Sequence, residues 1–153
     1  MNAKKVSAKK TEQSLNTWIK LARAFSTINR KSIDALRVHK ITQPQFLVIE
    51  ALGHLGPLKV GELCEKMLVS GGNMTLVLDN LEKSNYIERV NNKDDRRSLI
   101  VKLTKDGKKV FDKVFPKQAE YITEMMSVLT NDELKNLGDI CKKLGLTIQE
   151  SEK

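Results

Sequence analysis

The stretch that decides the fold is Tyr-Ile-Glu-Arg-Val-Asn-Asn-Lys-Asp-Asp-Arg-Arg-Ser-Leu-Ile-Val-Lys-Leu-Thr, residues 86 to 104. Apolar and polar residues alternate on both sides of its centre, as they do in half-buried strands. The alternating positions are Ile87 and Arg89 before the centre, and Leu99, Val101 and Leu103 after it. The centre is polar and carries two aspartates followed by two arginines. We therefore predict a β-hairpin with a charged tip.

Just before the hairpin, residues 60 to 84 contain two short helical patterns joined by a glycine-containing turn. The turn is Ser70-Gly71-Gly72-Asn73, in which Ser70 is the expected N-cap of the second helix. The apolar residues of that helix are spaced to face a core: Met74, Val77, Leu78 and Leu81. Two such helices followed by a basic hairpin are typical of a winged helix-turn-helix that binds DNA.

Helical patterns also precede this unit. Apolar residues recur every three or four positions from about 14 to 39, which predicts one long amphipathic helix. A shorter helix then begins with a capping box from Thr42 to Gln45, in which each side chain bonds the other residue's backbone N–H. The order predicted up to the hairpin is therefore one long helix followed by three short ones.

Two more helices follow the hairpin. Thr104 is the expected cap of the first, which Pro116 should kink or break because proline removes a backbone donor. A capping box from Thr130 to Glu133 opens the last helix, which we expect to end at Gly145. The predicted fold class is mainly α with a small β-wing: a winged helix-turn-helix flanked by long dimerisation helices.

The expected domain organisation follows from these elements. Residues 1–12 form a disordered basic tail, 13–40 and 107–147 a helical dimerisation region, 41–106 the DNA-binding domain, and 148–153 a C-terminal tail. The first and last long helices carry the apolar stripes expected to pair between two copies of the chain. The candidate dimerisation residues are Leu15, Trp18, Ile19, Leu134, Leu137, Ile140 and Leu144.

Composition restricts the classes of function. The formal net charge of +8 favours a polyanionic partner such as double-stranded DNA. No apolar run approaches the roughly 18 residues of a membrane span, and no signal peptide is visible, so we expect no membrane partner and a cytoplasmic location. Isolated histidines and two distant cysteines give no metal spacing. With no catalytic set or phosphate loop either, we expect no cofactor and no enzyme activity.

The candidate DNA contacts lie in the second helix of the pair and at the hairpin tip. Asn73 has the amide geometry to read adenine, while Thr75 and Leu76 are suited to thymine methyls. One of the tip arginines is expected in a minor groove or on the backbone, supported by Asp94 or Asp95. The full candidate set is Ser70, Gly71, Gly72, Asn73, Thr75, Leu76, Lys83, Lys93, Arg96 and Arg97.

Two segments resemble the MarR family of bacterial transcription regulators: Ser-Gly-Gly-Asn-Met-Thr-Leu-Val-Leu-Asp-Asn-Leu-Glu-Lys-Ser-Asn-Tyr-Ile-Glu-Arg, and Asp-Asp-Arg-Arg-Ser-Leu-Ile-Val-Lys-Leu-Thr-Lys-Asp-Gly. The resemblance covers about residues 14 to 147. It implies an obligate homodimer that binds a near-palindromic operator, commonly as a repressor. It also implies release of DNA by a small aromatic or phenolic effector bound between the dimerisation and DNA-binding parts.

The effector pocket is the least specific expectation. Phe25, His39, Phe46 and Phe111 are candidate lining residues, but a hydrophobic core would have the same pattern. Three positions depart from the family: Leu76 stands where many relatives are basic or polar, Lys59 replaces a Ser or Thr cap, and Asn85 replaces a glycine. Base preference therefore cannot be transferred from relatives.

Two alternative functions stay open. In one, the winged helix binds an acidic protein partner instead of DNA. In the other, the regulator responds to oxidation through Cys64 or Cys141. The first interpretation of both cysteines is that they are small buried hydrophobes, because free cysteine behaves in this way in most proteins. The first long helix contains no cysteine, which argues against the redox mechanism of the peroxide-sensing branch.

Overall fold

The computed structural model describes residues 7–67, 71–92 and 98–150. Helices dominate it and a small sheet completes it, as the predicted fold class requires. In chain order the elements are α1 (Ala8–Arg37), α2 (Gln43–Leu55), β1 (Leu58–Lys59), α3 (Val60–Met67), α4 (Gly71–Lys83), β2 (Ile87–Asn91), β3 (Leu99–Leu103), α5 (Lys105–Met126) and α6 (Asn131–Glu150).

The predicted hairpin is confirmed by the pairing of β2 with β3. The two strands run antiparallel, with Ile87 opposite Leu103 and Arg89 opposite Val101. Ile87 and Val101 are buried, so the inward side of the alternation is the predicted one. The two-residue strand β1 pairs with the other edge of β3 and completes a three-stranded sheet in the order β1-β3-β2. Strand β1 was not predicted from the sequence.

One hydrophobic core joins the first five helices to the sheet. Each of β2 and β3 contributes one inward-facing residue, because side chains alternate between the two faces of a strand. The helices contribute residues spaced three or four positions apart, which lie on one side of a helix. The interior side chains are Leu36, Ile41, Phe46, Val48, Ile49, Leu52, Leu63, Met74, Leu78, Leu81, Ile87, Val101, Phe111 and Val114. This core fixes α4 against α2 and α3, and therefore determines which side of α4 faces outward.

Local hydrogen bonds explain where several helices begin. Thr42 and Gln45 form the predicted capping box at the start of α2. The Thr130 hydroxyl accepts from the backbone N–H of Glu133, whose carboxylate accepts from the backbone N–H of Thr130. Both predicted capping boxes are therefore confirmed. Asn85 adopts a φ of 58°, the left-handed conformation expected after the last turn of α4.

Two expectations about helix limits are wrong, and a third is wrong in part. The first helix begins at Ala8, because Ser7 accepts a hydrogen bond from the backbone N–H of Lys10, so residues 8–12 are helical and not a disordered tail. Pro116 was expected to kink or break α5; the helix continues past it, so it is not broken, and the kink stays a prediction. The last helix continues through Gly145 to Glu150, because a helical glycine has only a modest cost and no proline follows to end the helix.

The segment Leu103-Thr104-Lys105-Asp106-Gly107 acts as a junction between the sheet, α4 and α5. The Thr104 hydroxyl donates to the carbonyl of Asn85 at 2.6 Å and accepts from the backbone N–H of Gly107 at 3.0 Å. A side chain at Gly107 would collide with the backbone oxygen of Tyr86, which itself accepts from the N–H of Thr104 at 3.1 Å. Only glycine therefore fits at this turn of α5.

The chain divides into two compact units, residues 1–118 and residues 119–153. The first unit contains the core described above and the whole helix-turn-helix with its sheet. The second unit contains the end of α5 and all of α6. The division predicted from the sequence, with a DNA-binding domain at 41–106, stays a prediction.

Candidate nucleic-acid interface

Helix α4 has a buried side and an exposed side, as the second helix of a helix-turn-helix requires. Met74, Leu78 and Leu81 are buried in the core. Apart from Glu82, whose carboxylate accepts from Arg89, the exposed positions of α4 are the predicted contact residues together with one further asparagine. They are Gly71, Gly72, Asn73, Thr75, Leu76, Asn80 and Lys83. The structure therefore places the predicted contacts of α4 together on one outward surface, which we call the α4 outer face.

The first turn of α4 is small and open. The backbone at Gly72 has no neighbouring atom within 4 Å of the position where a Cβ would stand. The Thr75 hydroxyl donates to the carbonyl oxygen of Gly71 at 3.0 Å, so its hydrogen is used within the helix. Asn73 is exposed, with its amide available at the surface. Ser70, the expected cap, lies outside the described residues. A helix end with so few bulky side chains can approach a nucleic acid closely.

A cluster of three charged residues connects the outer side of α4 to strand β2. Arg89 donates from Nη2 to Asp79 Oδ1 and to Glu82 Oε2, each at 2.5 Å, and from Nε to Glu82 Oε2 at 3.0 Å. Its backbone N–H also donates to Glu82 Oε1 at 3.2 Å. We call these residues the Arg89 cluster. It ties the wing to α4, and its single positive charge offsets one of the two carboxylate charges beside the α4 outer face.

The Arg89 cluster changes the protonation behaviour of its members. Hydrogen bonds from Arg89 hold the pKa of Glu82 below its ordinary value. The same bonds, chiefly those to Glu82, raise the pKa of Arg89 further. Near neutral pH Glu82 is therefore ionised and paired with Arg89. From the sequence, Arg89 was predicted only as a strand residue, because its two acidic partners lie on a different element.

The base of the wing is closed by a polar pair. Asn92 is buried, and it donates from Nδ2 to Ser98 Oγ at 3.0 Å and from its backbone to the Ser98 carbonyl at 3.1 Å. The tip between them holds Lys93, Asp94, Asp95, Arg96 and Arg97, and it lies outside the described residues. Its predicted contacts stay predictions. Lys102, on β3, pairs with Glu88 across the hairpin at 3.1 Å.

The candidate dimerisation residues lie on surfaces that their own chain leaves open. Trp18 is 63% exposed on α1 and Ile140 is 64% exposed on α6. Leu134 is half-buried, and the remaining candidates are also exposed: Leu15, Ile19, Leu137 and Leu144. No described residue of α6 is buried. Apolar stripes of this kind are typical of helices that pack against another surface.

The candidate effector residues do not share one environment. Phe46 and Phe111 are buried in the core, while Phe25 is 65% exposed on α1 and His39 is half-buried. The pocket predicted from these residues is therefore not a single lined cavity in this chain. A cavity of about 220 Å³ lies at the edge of the α4 outer face, and two residues of that face, Asn73 and Leu76, line it together with Pro44, Met67, Met74 and Val77.

The two cysteines differ in their surroundings. Cys64 is half-buried and packs against the hydrophobic core, close to its predicted role. Cys141 is exposed on α6, so the expectation that it is a buried hydrophobe is wrong. The apolar stripe of α6 on which it was predicted is left uncovered by its own chain. Nothing in these two positions assigns a redox role.

Metal sites and membrane spans are absent from the part of the chain that the structure describes. There, no group of three or more His, Cys, Asp or Glu side chains is arranged to hold a metal ion. Within the same residues, no helix has the length and apolar character needed to cross a membrane.

The sequence is similar to those of known bacterial transcription regulators. The family model for MarR matches residues 41–99, which span the helix-turn-helix and most of the hairpin. The transcriptional regulator MhqR of Bacillus subtilis is 31% identical over 140 residues, covering 92% of this chain and 97% of that protein. The transcriptional repressor MdtR of the same organism is 30% identical, covering 88% of this chain and 87% of its own length.

Solved structures give the same result at the level of the fold. AbsC, a MarR family regulator from Streptomyces coelicolor, superposes with a TM-score of 0.82 at 17% identity, over 95% of this chain and 97% of its own. A mutant MarR from E. coli in complex with operator DNA superposes with a TM-score of 0.69 at 28% identity, over 84% and 96%. The chain belongs to the MarR family and is a DNA-binding transcription regulator.

Proposed function

We propose that this regulator represses transcription by binding a near-palindromic operator as a homodimer. The observation that carries the proposal is the α4 outer face, which is open, polar except at Leu76, and turned away from the buried stripe of the same helix. A helix fixed in this way can enter a major groove with its first turns against base edges and phosphates. The choice of repression over activation is supported by MdtR, a transcriptional repressor that aligns with most of this chain.

The proposed dimer rests on the exposed stripes of α1 and α6. Burying side chains as large as Trp18 and Ile140 away from water would stabilise the dimer by roughly 25 cal/mol for each Å² of apolar surface. Two copies related by a two-fold axis would cover each other's stripes and present two α4 helices. Half-sites of such a dimer lie about one helical turn of DNA apart, roughly 34 Å. Operator symmetry would then follow from protein symmetry.

The wing supplies the second proposed contact. Arg96 and Arg97 follow two aspartates at the tip, between the strands that Asn92 and Ser98 bring together at the base. An arginine there can enter a narrow minor groove, where the negative potential is concentrated. Lys93 and Lys83 are proposed as phosphate contacts, because a flexible ammonium binds phosphate without reading sequence.

Regulation by a small aromatic compound completes the proposal. A MepR-like protein complexed with pseudoligands superposes with a TM-score of 0.67 at 28% identity, over 87% of this chain and 94% of its own. A compound can release the operator only if it binds more tightly to a dimer shape that does not fit DNA. No lining residue is proposed, since the four candidates from the sequence do not share one environment.

The test is selection of binding sites from random DNA with the purified full-length protein, followed by affinity measurements on the selected site. We expect a near-palindrome to be enriched. Arg96→Ala or Arg97→Ala should weaken binding by about tenfold, which corresponds to roughly 1.4 kcal/mol. Arg23→Ala, which removes an exposed arginine from α1, is the matched control and should bind as the wild type does.

Two results would contradict the proposal. Enrichment of no sequence at all would favour the alternative in which the winged helix binds an acidic protein. Unchanged affinity in both wing variants, with a selected site in hand, would remove the wing contact but leave groove binding by α4 intact.

A further inference from the structure

Leu76 occupies the centre of the α4 outer face. Successive residues in a helix are rotated by about 100°. Leu76 is two positions from both Met74 and Leu78, so it lies about 160° around the helix from each of these buried residues. Its side chain is 64% exposed. Within α4, all of which the structure describes, it is the only large hydrophobic residue with such exposure. A solvated leucine at the middle of a nucleic-acid interface calls for an apolar counterpart.

The neighbours of Leu76 leave room for that counterpart. Gly72, one turn earlier on the same side, has open space where a side chain would stand. Thr75 has its hydroxyl hydrogen engaged by the carbonyl of Gly71. Asp79, one turn later, is held by Arg89 at 2.5 Å, so its charge is paired before any nucleic acid arrives. The surroundings of Leu76 are therefore suited to close apolar contact.

Thymine offers the one apolar group in the major groove. Its C5-methyl distinguishes a T·A pair from the other pairs, and apolar side chains recognise it by contact. A basic or amide side chain at this position would instead favour guanine or adenine. Leucine has no polar atom with which to read a base edge, so contact with a methyl group is the specific interaction left to it.

We propose that Leu76 makes the operator preference depend on a thymine methyl in each half-site. The proposal rests on groove entry by α4, as set out under Proposed function. Asn73, three residues earlier and exposed on the same face, would read an adjacent base with its amide. The half-site core is therefore A·T-rich where the first two turns of α4 touch it.

The test uses the operator obtained by selection, with each thymine replaced in turn by deoxyuridine. This change removes only the C5-methyl and keeps Watson–Crick pairing. For the wild-type protein we expect one thymine in each half-site to show a loss of about fourfold in affinity, the worth of one buried methyl at about 0.8 kcal/mol. Replacing the symmetric pair should cost about fifteenfold.

The variant Leu76→Ala tests the same contact from the protein side. Because it removes the leucine from both subunits, it should bind the unmodified operator at least about fifteenfold more weakly than the wild type does. Replacing thymine by deoxyuridine should then weaken its binding no further. Leu55→Ala is the matched control, since Leu55 is 55% exposed on α2 and lies outside α4. It should keep the full deoxyuridine effect.

The outcomes separate this proposal from groove binding itself. If a sequence is selected but no deoxyuridine weakens the wild type, or if Leu76→Ala shows the same losses, Leu76 does not read a methyl. If no sequence is selected at all, the proposed function fails and the role of Leu76 fails with it.

Discussion

Helices α4 and α6 have the same amphipathic pattern but differ in the exposure of their apolar side chains. On α4, Met74, Leu78 and Leu81 are buried by the chain's own core. On α6, Leu137 and Ile140 stand at equivalent spacing and are exposed. The pattern alone therefore does not tell whether a helix is covered by its own chain or by another. Within the described residues, the apolar side of α4 is buried in the core of unit 1–118, whereas the apolar side of α6 in unit 119–153 is left exposed.

The largest expected effect concerns the open stripe. Ile140→Glu would place two carboxylates between apolar side chains in a dimer, which costs several kcal/mol unless they are paired. We expect self-association to weaken by roughly a thousandfold, or about 4 kcal/mol, in sedimentation experiments over a dilution series. Lys142→Glu, on the opposite side of α6, is the control and should stay associated. A wild-type protein that is a stable folded monomer in dilute solution would overturn the role given to α6.

The next effect concerns the junction below α4. Gly107→Ala forces a Cβ against the backbone oxygen of Tyr86, and backbone cannot move aside cheaply. We expect a loss of about 3 kcal/mol or more in the free energy of unfolding, measured by urea denaturation. Gly138→Ala, in the middle of α6 with open space around it, should instead gain up to about 1 kcal/mol from helix propensity. Equal effects at the two glycines would show that the junction is not tight.

The smallest effect concerns the paired acids beside the α4 outer face. Arg89 lowers the pKa of Glu82 in the folded state below its ordinary value of 4.5. The pair of Glu82 with Arg89 therefore stabilises the fold fully above about pH 4.5. This stabilisation is lost as the pH falls through the lowered pKa. The Glu82 side chain is 41% exposed, so solvent screens the pair and the effect stays below about 1 kcal/mol.

The measurement is the urea midpoint of unfolding between pH 7 and pH 3. Wild type should lose more stability on acidification than Glu82→Gln, which has no carboxylate to protonate. Glu65→Gln on α3 removes another exposed acid and should follow the wild type. A Glu82→Gln curve that parallels the wild type would mean that Arg89 does not bind Glu82 strongly in solution.

Much of the fold was predictable because its signals are local. Capping boxes at Thr42 and Thr130, the left-handed Asn85 and the alternating hairpin each involve residues within a few positions of one another. Strand β1 escaped prediction because two residues cannot show alternation, and its pairing partner lies some 40 positions away. The extension of α6 past Gly145 depends on the whole helix and not on one glycine.

The candidate interface was predictable only in part, for a related reason. Spacing along α4 was enough to identify its outer face, since helical periodicity determines both sides of a helix at once. The Arg89 cluster needed knowledge of how β2 returns against α4, which no spacing gives. The effector candidates failed for the opposite reason, because aromatic residues that fill a core and those that line a cavity have the same sequence pattern.

The α4 outer face has a further consequence for how the regulator responds to ionic strength. From Gly71 to Asn80 the helix carries no lysine or arginine, and its first basic residue is Lys83 in the last turn. Salt competes with cationic side chains for phosphates and has little influence on methyl or amide contacts with bases. We therefore predict that added salt lowers the affinity of the proposed operator complex through Lys83 and the wing arginines, and has little effect on contacts made by the stretch from Gly71 to Asn80.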